Sequence, residues 1–181
     1  MTTFIRLPAS LLLVLLGAAA AVPAPGEVSD VADNGFTFRS AITVSVPPAR
    51  AYAAMVDVGK WWGPDHTFSG DAANLSIEAR PQGCWCERLP GGGGVRHLNV
   101  TFASPGKQIR FEGGLGPLQS MAVTGSMSWK FDPAEKGTTV EVRYAVGGYN
   151  PGGFKELAAA VDGVLRAQIE RYKRYVETGK P

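Results

Sequence analysis

The chain has 181 residues, a formal net charge of +2 and 45% hydrophobic residues. This length suits one domain with its own hydrophobic core. Nucleic acids and anionic membranes attract concentrated basic charge, so the nearly neutral balance gives no reason to expect either as a partner.

The first 21 residues are typical of a secretory signal peptide. A short segment whose single charged side chain is Arg6 leads into the apolar run 11–16 and then a run of alanines suited to cleavage. We therefore predict a signal peptide at 1–21, a flexible segment at 22–35 and an exported, periplasmic or secreted protein without stable membrane insertion. Cleavage removes one basic residue and no acidic one, which leaves a net charge of +1. The alternative is an uncleaved membrane anchor.

The next elements read as a strand, two short helical turns and further strands. Residues 36–46 alternate apolar and polar side chains, which predicts a strand with one buried face. A proline pair ends that strand and starts a short helix. A second short turn carries two adjacent tryptophans. Further strands, separated by turns rich in glycine and proline, are predicted at 74–80, 83–89, 95–102, 108–113, 122–131 and 138–146.

The chain closes with a long amphipathic helix at residues 154–178. Apolar side chains recur there at three- and four-residue spacing, which gives the helix one dry face. Because strands precede it, this face should pack against a sheet. The small residues near its start, such as Ala158 and Gly163, should leave room for a ligand, whereas residues 164–176 should pack solidly.

This order of elements, with the sequences at 46–52 and 83–87 and the tryptophan pair, resembles the START-like superfamily. Within it the chain is similar to the SRPBCC branch of bacterial polyketide cyclase-like and heat-shock-ATPase-activator-like proteins, over residues 36–176. The resemblance implies an α+β helix-grip fold at 36–178. A curved antiparallel sheet of about six to seven strands would wrap the C-terminal helix, with two short helices after the first strand and a cavity for an apolar ligand.

Glu87 and His97 are polar residues on two neighbouring predicted strands. If the intervening turn pairs Leu89 with Val95, Glu87 faces His97 and shares a face with Trp85. The spacing leaves open which face looks inward. The apolar residues of the 95–102 strand favour the opposite face as the core, whereas the resemblance described above favours Trp85 pointing into the cavity. A β-bulge would reconcile the two indications. One interpretation is an exposed ion pair of little energetic value. The other is a polar anchor at the cavity wall, in which His97 binds or polarises a ligand oxygen and Glu87 sets its tautomer and pKa.

Cys84 and Cys86 allow three interpretations. A disulfide suits an exported protein, but residues i and i+2 on a regular strand have Cα atoms about 6.5 to 7 Å apart, at the far edge of bridgeable geometry. A zinc site is the second interpretation, but the two cysteine thiolates alone do not provide enough ligands for the metal. Small buried apolar residues are the favoured interpretation. We expect no metal and no cofactor.

We predict that aromatic and aliphatic side chains from the whole domain line the cavity. Because adjacent residues on a short helix point apart, one tryptophan of the pair should be in the core and the other near the surface. The ligand-binding candidates are Tyr52, Trp61, Trp62, Phe68, Trp85, Leu115, Leu118, Met127, Trp129, Tyr144, Phe154, Ala158 and Val161.

Two classes of function remain open. The first is binding or carriage of a small hydrophobic or amphipathic molecule. The second is a cyclase or hydrolase type of enzyme, in which His97, Glu87 and His66 are the candidates for acid–base catalysis. The first is favoured because neither histidine has a convincing nucleophile or paired catalytic carboxylate. Export would also separate the protein from cytosolic chaperones, which argues against the chaperone-activating role of the heat-shock-ATPase-activator-like proteins. No feature selects an oligomeric state.

Overall fold

The computed structural model describes Met1 and residues 27–181, so the rest of the predicted signal peptide lies outside the described residues. Its strands are β1 Glu27–Ala32, β2 Gly35–Val44, β3 Leu75–Ile77, β4 Cys84–Arg88, β5 Gly94–Ser104, β6 Gln108–Glu112, β7 Val123–Ala134 and β8 Gly137–Gly148. Its α-helices are α1 Pro48–Val56 and α2 Lys155–Thr178, and short 3₁₀ turns at Val58–Lys60, Pro64–His66 and Ala72–Asn74 follow α1.

The strands form one antiparallel sheet in the order β1-β2-β8-β7-β6-β5-β4-β3. This sheet and the long C-terminal helix confirm the predicted α+β helix-grip fold. The sheet of the described residues has eight strands rather than six to seven. The additional strand, β1, lies at Glu27–Ala32, within the segment 22–35 where no strand was predicted. Its sequence has no apolar alternation, and its pairing with β2 stabilises it.

The dry face of α2 packs along the sheet, and polar contacts hold its C-terminal half. Tyr172 donates its hydroxyl hydrogen to the carbonyl of Ala51 at 2.9 Å. Gln168 accepts a hydrogen bond from the Gly63 N–H at 2.7 Å. The helix ends at Gly179, whose φ of 78° is the left-handed conformation that glycine adopts without strain. None of the helices in residues 27–181 is both long and apolar enough to cross a bilayer.

Both adjacent tryptophans are buried, so the prediction of one surface tryptophan was wrong. Trp61 is 0% exposed and Trp62 is 5% exposed. They follow the Val58–Lys60 turn rather than lying within a helix, so helical geometry does not force their rings apart. The indole of Trp61 donates to the Met55 carbonyl at 3.3 Å, and that of Trp62 donates to the His66 carbonyl at 2.9 Å.

Candidate functional site

A cavity of about 430 Å³ lies between the sheet and the N-terminal half of α2. Its wall combines the 62–68 loop, strands β3, β4, β5 and β8, the 115–121 segment and one face of α2. Phe68, 54% exposed, stands at its mouth. The cavity lies beside the N-terminal half of the helix, where space was predicted, but Ala158 and Gly163 do not line it, whereas Ala160 does.

Many of the predicted site residues lie on the cavity wall. These are Trp62, His66, Phe68, Trp85, His97, Leu115, Leu118, Tyr144 and Val161. They come from loops, strands and helix, so the fold brings together residues that are up to about a hundred positions apart in sequence. Glu87 is not on the wall but lies directly behind His97.

The remaining candidates lie in the core and not at the cavity wall. Tyr52 packs edge-on against Phe131, and Phe154 packs against Phe36. Ala158 is buried away from the wall. The others are Trp61, Met127 and Trp129. Alternation correctly places the strand residues Met127 and Trp129 on an inner face, but one inner face serves both the solid core and the cavity.

Several wall residues were not predicted. They are Asp65, Thr67, Leu75, Met121, Leu157, Val164 and Leu165. Val164 and Leu165 correct the expectation that the helix packs solidly from residue 164 onward. The i, i+3, i+4 spacing of Leu157, Val161, Val164 and Leu165 was the available signal, because it puts them on one helical stripe.

A β-bulge brings His97 and Glu87 into contact. Trp85 pairs with Leu98, but the next residue, Cys86, pairs with Arg96, so His97 is an extra residue in β5. The predicted register was therefore wrong, because Glu87 pairs with Val95. The bulge nevertheless turns His97 inward, and its Nε2 lies 2.9 Å from Oε2 of Glu87. Their side chains are 4% and 0% exposed, which excludes an exposed surface ion pair.

The carboxyl group of Glu87 is ionised although it is buried. Burial alone would raise its pKa, but hydrogen bonds from Ser69, from the Phe68 backbone and from His97 together lower the pKa below its ordinary value. The Ser69 N–H donates to Oε1 at 2.5 Å. Glu87 therefore holds the loop in front of the cavity and the histidine in its wall at the same time.

His97 is neutral at neutral pH. Burial lowers its pKa, although the hydrogen bond and negative charge of Glu87 act in the opposite direction. An ionised carboxylate only accepts, so the shared hydrogen is on Nε2 of His97. Nδ1 of this tautomer is a bare acceptor, and it is buried without a hydrogen-bond partner among the described residues.

The lowered pKa of His97 predicts that acid destabilises the domain. An unfolded histidine binds its proton near pH ~6.5, whereas folded His97 binds it only at lower pH. Between those values the unfolded state holds more protons, so the free energy of unfolding falls as the pH drops below about 6.5. The lowered pKa of Glu87 acts in the same direction, but only below about pH 4.3.

Urea unfolding between about pH 7.5 and 5 measures this effect. The slope of unfolding free energy against pH should be smaller in His97→Gln than in the wild type. His66→Gln removes the chain's other imidazole and is the matched variant for comparison. An unchanged slope in His97→Gln would contradict the assignment.

Tyr144 forms the part of the wall that β8 contributes, and its hydroxyl both accepts and donates a hydrogen bond within the protein. Its hydroxyl accepts from the Leu115 N–H at 3.0 Å and donates to the Gly113 carbonyl at 2.9 Å. Burial raises its pKa to about 12, so it remains protonated. Gly125 makes room for the ring, since a Cβ there would lie 2.5 Å from Cε2 of Tyr144.

Cys84 and Cys86 form a disulfide, so the favoured prediction of free buried cysteines was wrong. Their Cα atoms are 5.4 Å apart, closer than on a regular strand, and the register shift begins between Trp85 and Cys86. Both cysteines are half-buried, whereas the alternate residues Trp85 and Glu87 are buried. Among the described residues, no group of three or more His, Cys, Asp or Glu side chains could hold a metal ion.

Comparison with known proteins places this fold. A family model described as polyketide cyclase / dehydrase and lipid transport matches residues 35–177. A solved structure of an uncharacterised protein from Rhizobium leguminosarum has 13% identity and a TM-score of 0.58, covering 86% of this chain and 98% of that one. CalU16 from Micromonospora echinospora has 10% identity and a TM-score of 0.58, covering 87% of each chain.

The Aha1 dimer from Colwellia psychrerythraea has 19% identity and a TM-score of 0.56, covering 80% of this chain and 98% of that one. At such identities the structural likeness shows the fold alone. No curated protein matches the sequence. The family match spans β2 to α2, including the whole cavity wall, and confirms the START-like, SRPBCC resemblance. The chain therefore belongs to the polyketide cyclase / dehydrase and lipid transport family, whose fold binds small molecules.

Proposed function

We propose that this protein binds and carries a small hydrophobic or amphipathic molecule in the cavity beside α2. The observation that carries the proposal is the cavity itself, about 430 Å³ in volume and walled mainly by aliphatic and aromatic side chains. This volume is in the range of pockets that enclose a small organic ligand. Water makes few hydrogen bonds to such a wall, so the free energy falls when an apolar molecule displaces that water.

Native mass spectrometry of the purified protein tests the proposal. We expect the folded protein to retain an apolar molecule, which denaturation releases with its mass intact. Protein stripped of that molecule should bind Nile red, a neutral apolar dye, with an increase in fluorescence. Empty protein that also fails to bind Nile red would contradict the proposed function.

A second candidate is acid–base catalysis on a cyclase- or hydrolase-type substrate. The observation that favours it is the buried Glu87–His97 pair, since a neutral histidine oriented by a carboxylate is a general base. The carrier function stands first because no Ser or Cys nucleophile lies beside His97 on the described wall. His97→Ala discriminates the two: turnover of a polyketone or ester that survives this substitution excludes the catalytic assignment.

We further propose that the chain is exported and that residues 1–21 are removed. The Cys84–Cys86 disulfide supports this, since disulfides persist mainly in oxidising compartments. We expect the mature N-terminus near residue 22, and a mass increase of about two protons on reduction. Free thiols together with an intact N-terminus in protein isolated from its native cells would contradict export.

A further inference from the structure

We propose that the cavity selects ligands that carry a hydrogen-bond donor and no negative charge, such as a phenol or an alcohol, and that the donor binds Nδ1 of His97. Glu87 is the positioning residue that fixes this choice, because it keeps the imidazole hydrogen on Nε2. This inference rests on the proposed ligand-binding function and specifies the class of ligand.

The hydrogen bonds around Glu87 define which nitrogen of His97 is free. The Ser69 N–H donates to Oε1 of Glu87, and the Phe68 backbone donates to the same carboxylate. Backbone N–H groups cannot accept, so Glu87 has to be the acceptor on that side. Its other oxygen, Oε2, faces Nε2 of His97 at 2.9 Å. With the single imidazole hydrogen on Nε2, the other ring nitrogen, Nδ1, can only accept a hydrogen bond, so its partner has to be a donor.

The unpartnered nitrogen is on a ring that forms part of the cavity wall. Nδ1 of His97 is buried and has no hydrogen-bond partner among the described residues. A buried polar atom without a partner is destabilising, so a ligand that supplies the missing hydrogen bond removes an existing cost. The Tyr144 hydroxyl offers no equivalent contact, because it already donates and accepts within the protein.

The charge of the wall disfavours anionic ligands. No Lys or Arg is among the described residues that line the cavity, so a carboxylate or phosphate would be buried without a cation. It would also lie near the negative charge of Glu87, behind His97. The cavity thus favours a neutral hydroxyl compound over the fatty acid or phosphate of similar shape.

Three probes of one shape test the inference against stripped wild-type protein. They are 2-naphthol, which carries a donor, 2-methoxynaphthalene, which has none, and 2-acetylnaphthalene, which has only an acceptor. Each displaces Nile red in competition. We expect 2-naphthol to bind about tenfold more tightly than the other two, since only it satisfies Nδ1. Equal affinities for the three probes would overturn the inference.

Glu87→Gln is the matched variant, because it keeps the size of the side chain and changes the direction of one hydrogen bond. The amide oxygen must take the place of Oε1, which accepts from the Ser69 N–H, so its NH₂ takes the place of Oε2, faces His97 and donates to Nε2. The imidazole hydrogen then moves to Nδ1. We expect 2-acetylnaphthalene to bind Glu87→Gln at least as tightly as 2-naphthol, a change of order that general loosening of the fold would not produce.

Nitrogen-15 NMR of the imidazole reports the tautomer directly, with the hydrogen on Nε2 expected in the wild type and on Nδ1 in Glu87→Gln. A hydrogen on Nδ1 in the wild type would overturn the inference even if the variant does not fold. Nile red binding separates the two levels of the proposal. Where Nile red binds and the probes show no preference, the donor selection is wrong and ligand binding stands; where Nile red does not bind at all, both fail.

Discussion

Val161→Phe should abolish Nile red binding while the domain stays folded. Val161 is a half-buried wall residue of α2, and its side chain borders the cavity rather than a packed neighbour on that side. The larger ring therefore occupies space that the ligand needs and does not overpack the core. We expect the dissociation constant to rise by about a hundredfold or more, since partial overlap with a rigid wall leaves no alternative pose in a cavity of about 430 Å³.

The matched control is Ala167→Phe on the exposed side of the same helix. It adds the same ring to the same element, so it should leave Nile red binding unchanged. Both variants should unfold at nearly the wild-type urea concentration. If Val161→Phe keeps its affinity while folded, the ligand site lies elsewhere. Ala158→Phe is a poor substitute for this test, because Ala158 is buried away from the wall and a ring there would disrupt packing.

Much of this fold is predictable from the sequence because two periodicities are unusually clear. The alternation in residues 36–46 corresponds to β2, and the helical stripe of residues 154–178 corresponds to α2. Each of these patterns comes from a whole face of side chains that many contacts bury, so a single residue that breaks the pattern does not change the prediction. Strand β1 has no such pattern: it exists because the edge of β2 offers backbone partners, a tertiary effect that its own residues do not encode.

The candidate site was harder to predict because it depends on one irregular residue. The Glu87–His97 contact was predicted from a regular register, yet it exists because His97 is an extra residue in a bulge. The same irregularity begins beside the Cys84–Cys86 disulfide, which a regular strand would disfavour. A bulge sets two residues of one strand opposite one residue of its partner, so spacing arguments that assume a regular register fail there.

The two tryptophans differ in role, and alanine substitution should separate them. Trp61 contacts four aromatic rings, those of Trp62, Trp85, Trp129 and Tyr172, at centroid distances of 5.5, 6.4, 5.9 and 5.4 Å. Trp61→Ala leaves an enclosed void in this cluster, and we expect it to lower the free energy of unfolding by about 3–5 kcal/mol. Nile red binding should persist in whatever fraction of the protein folds, because Trp61 does not line the cavity.

Trp62→Ala should reduce stability less than Trp61→Ala does, and it should reduce Nile red affinity. Trp62 borders the cavity, so its removal enlarges an existing space instead of creating a closed void. We expect a cost of about 1–2 kcal/mol, below the range for a fully enclosed site. Nile red affinity should fall, since Trp62 supplies part of the apolar wall. Urea denaturation and dye titration of the two variants measure both quantities. Similar losses of stability in both would mean that the space beside Trp62 is closed, and the mouth of the cavity would then lie away from the 62–68 loop.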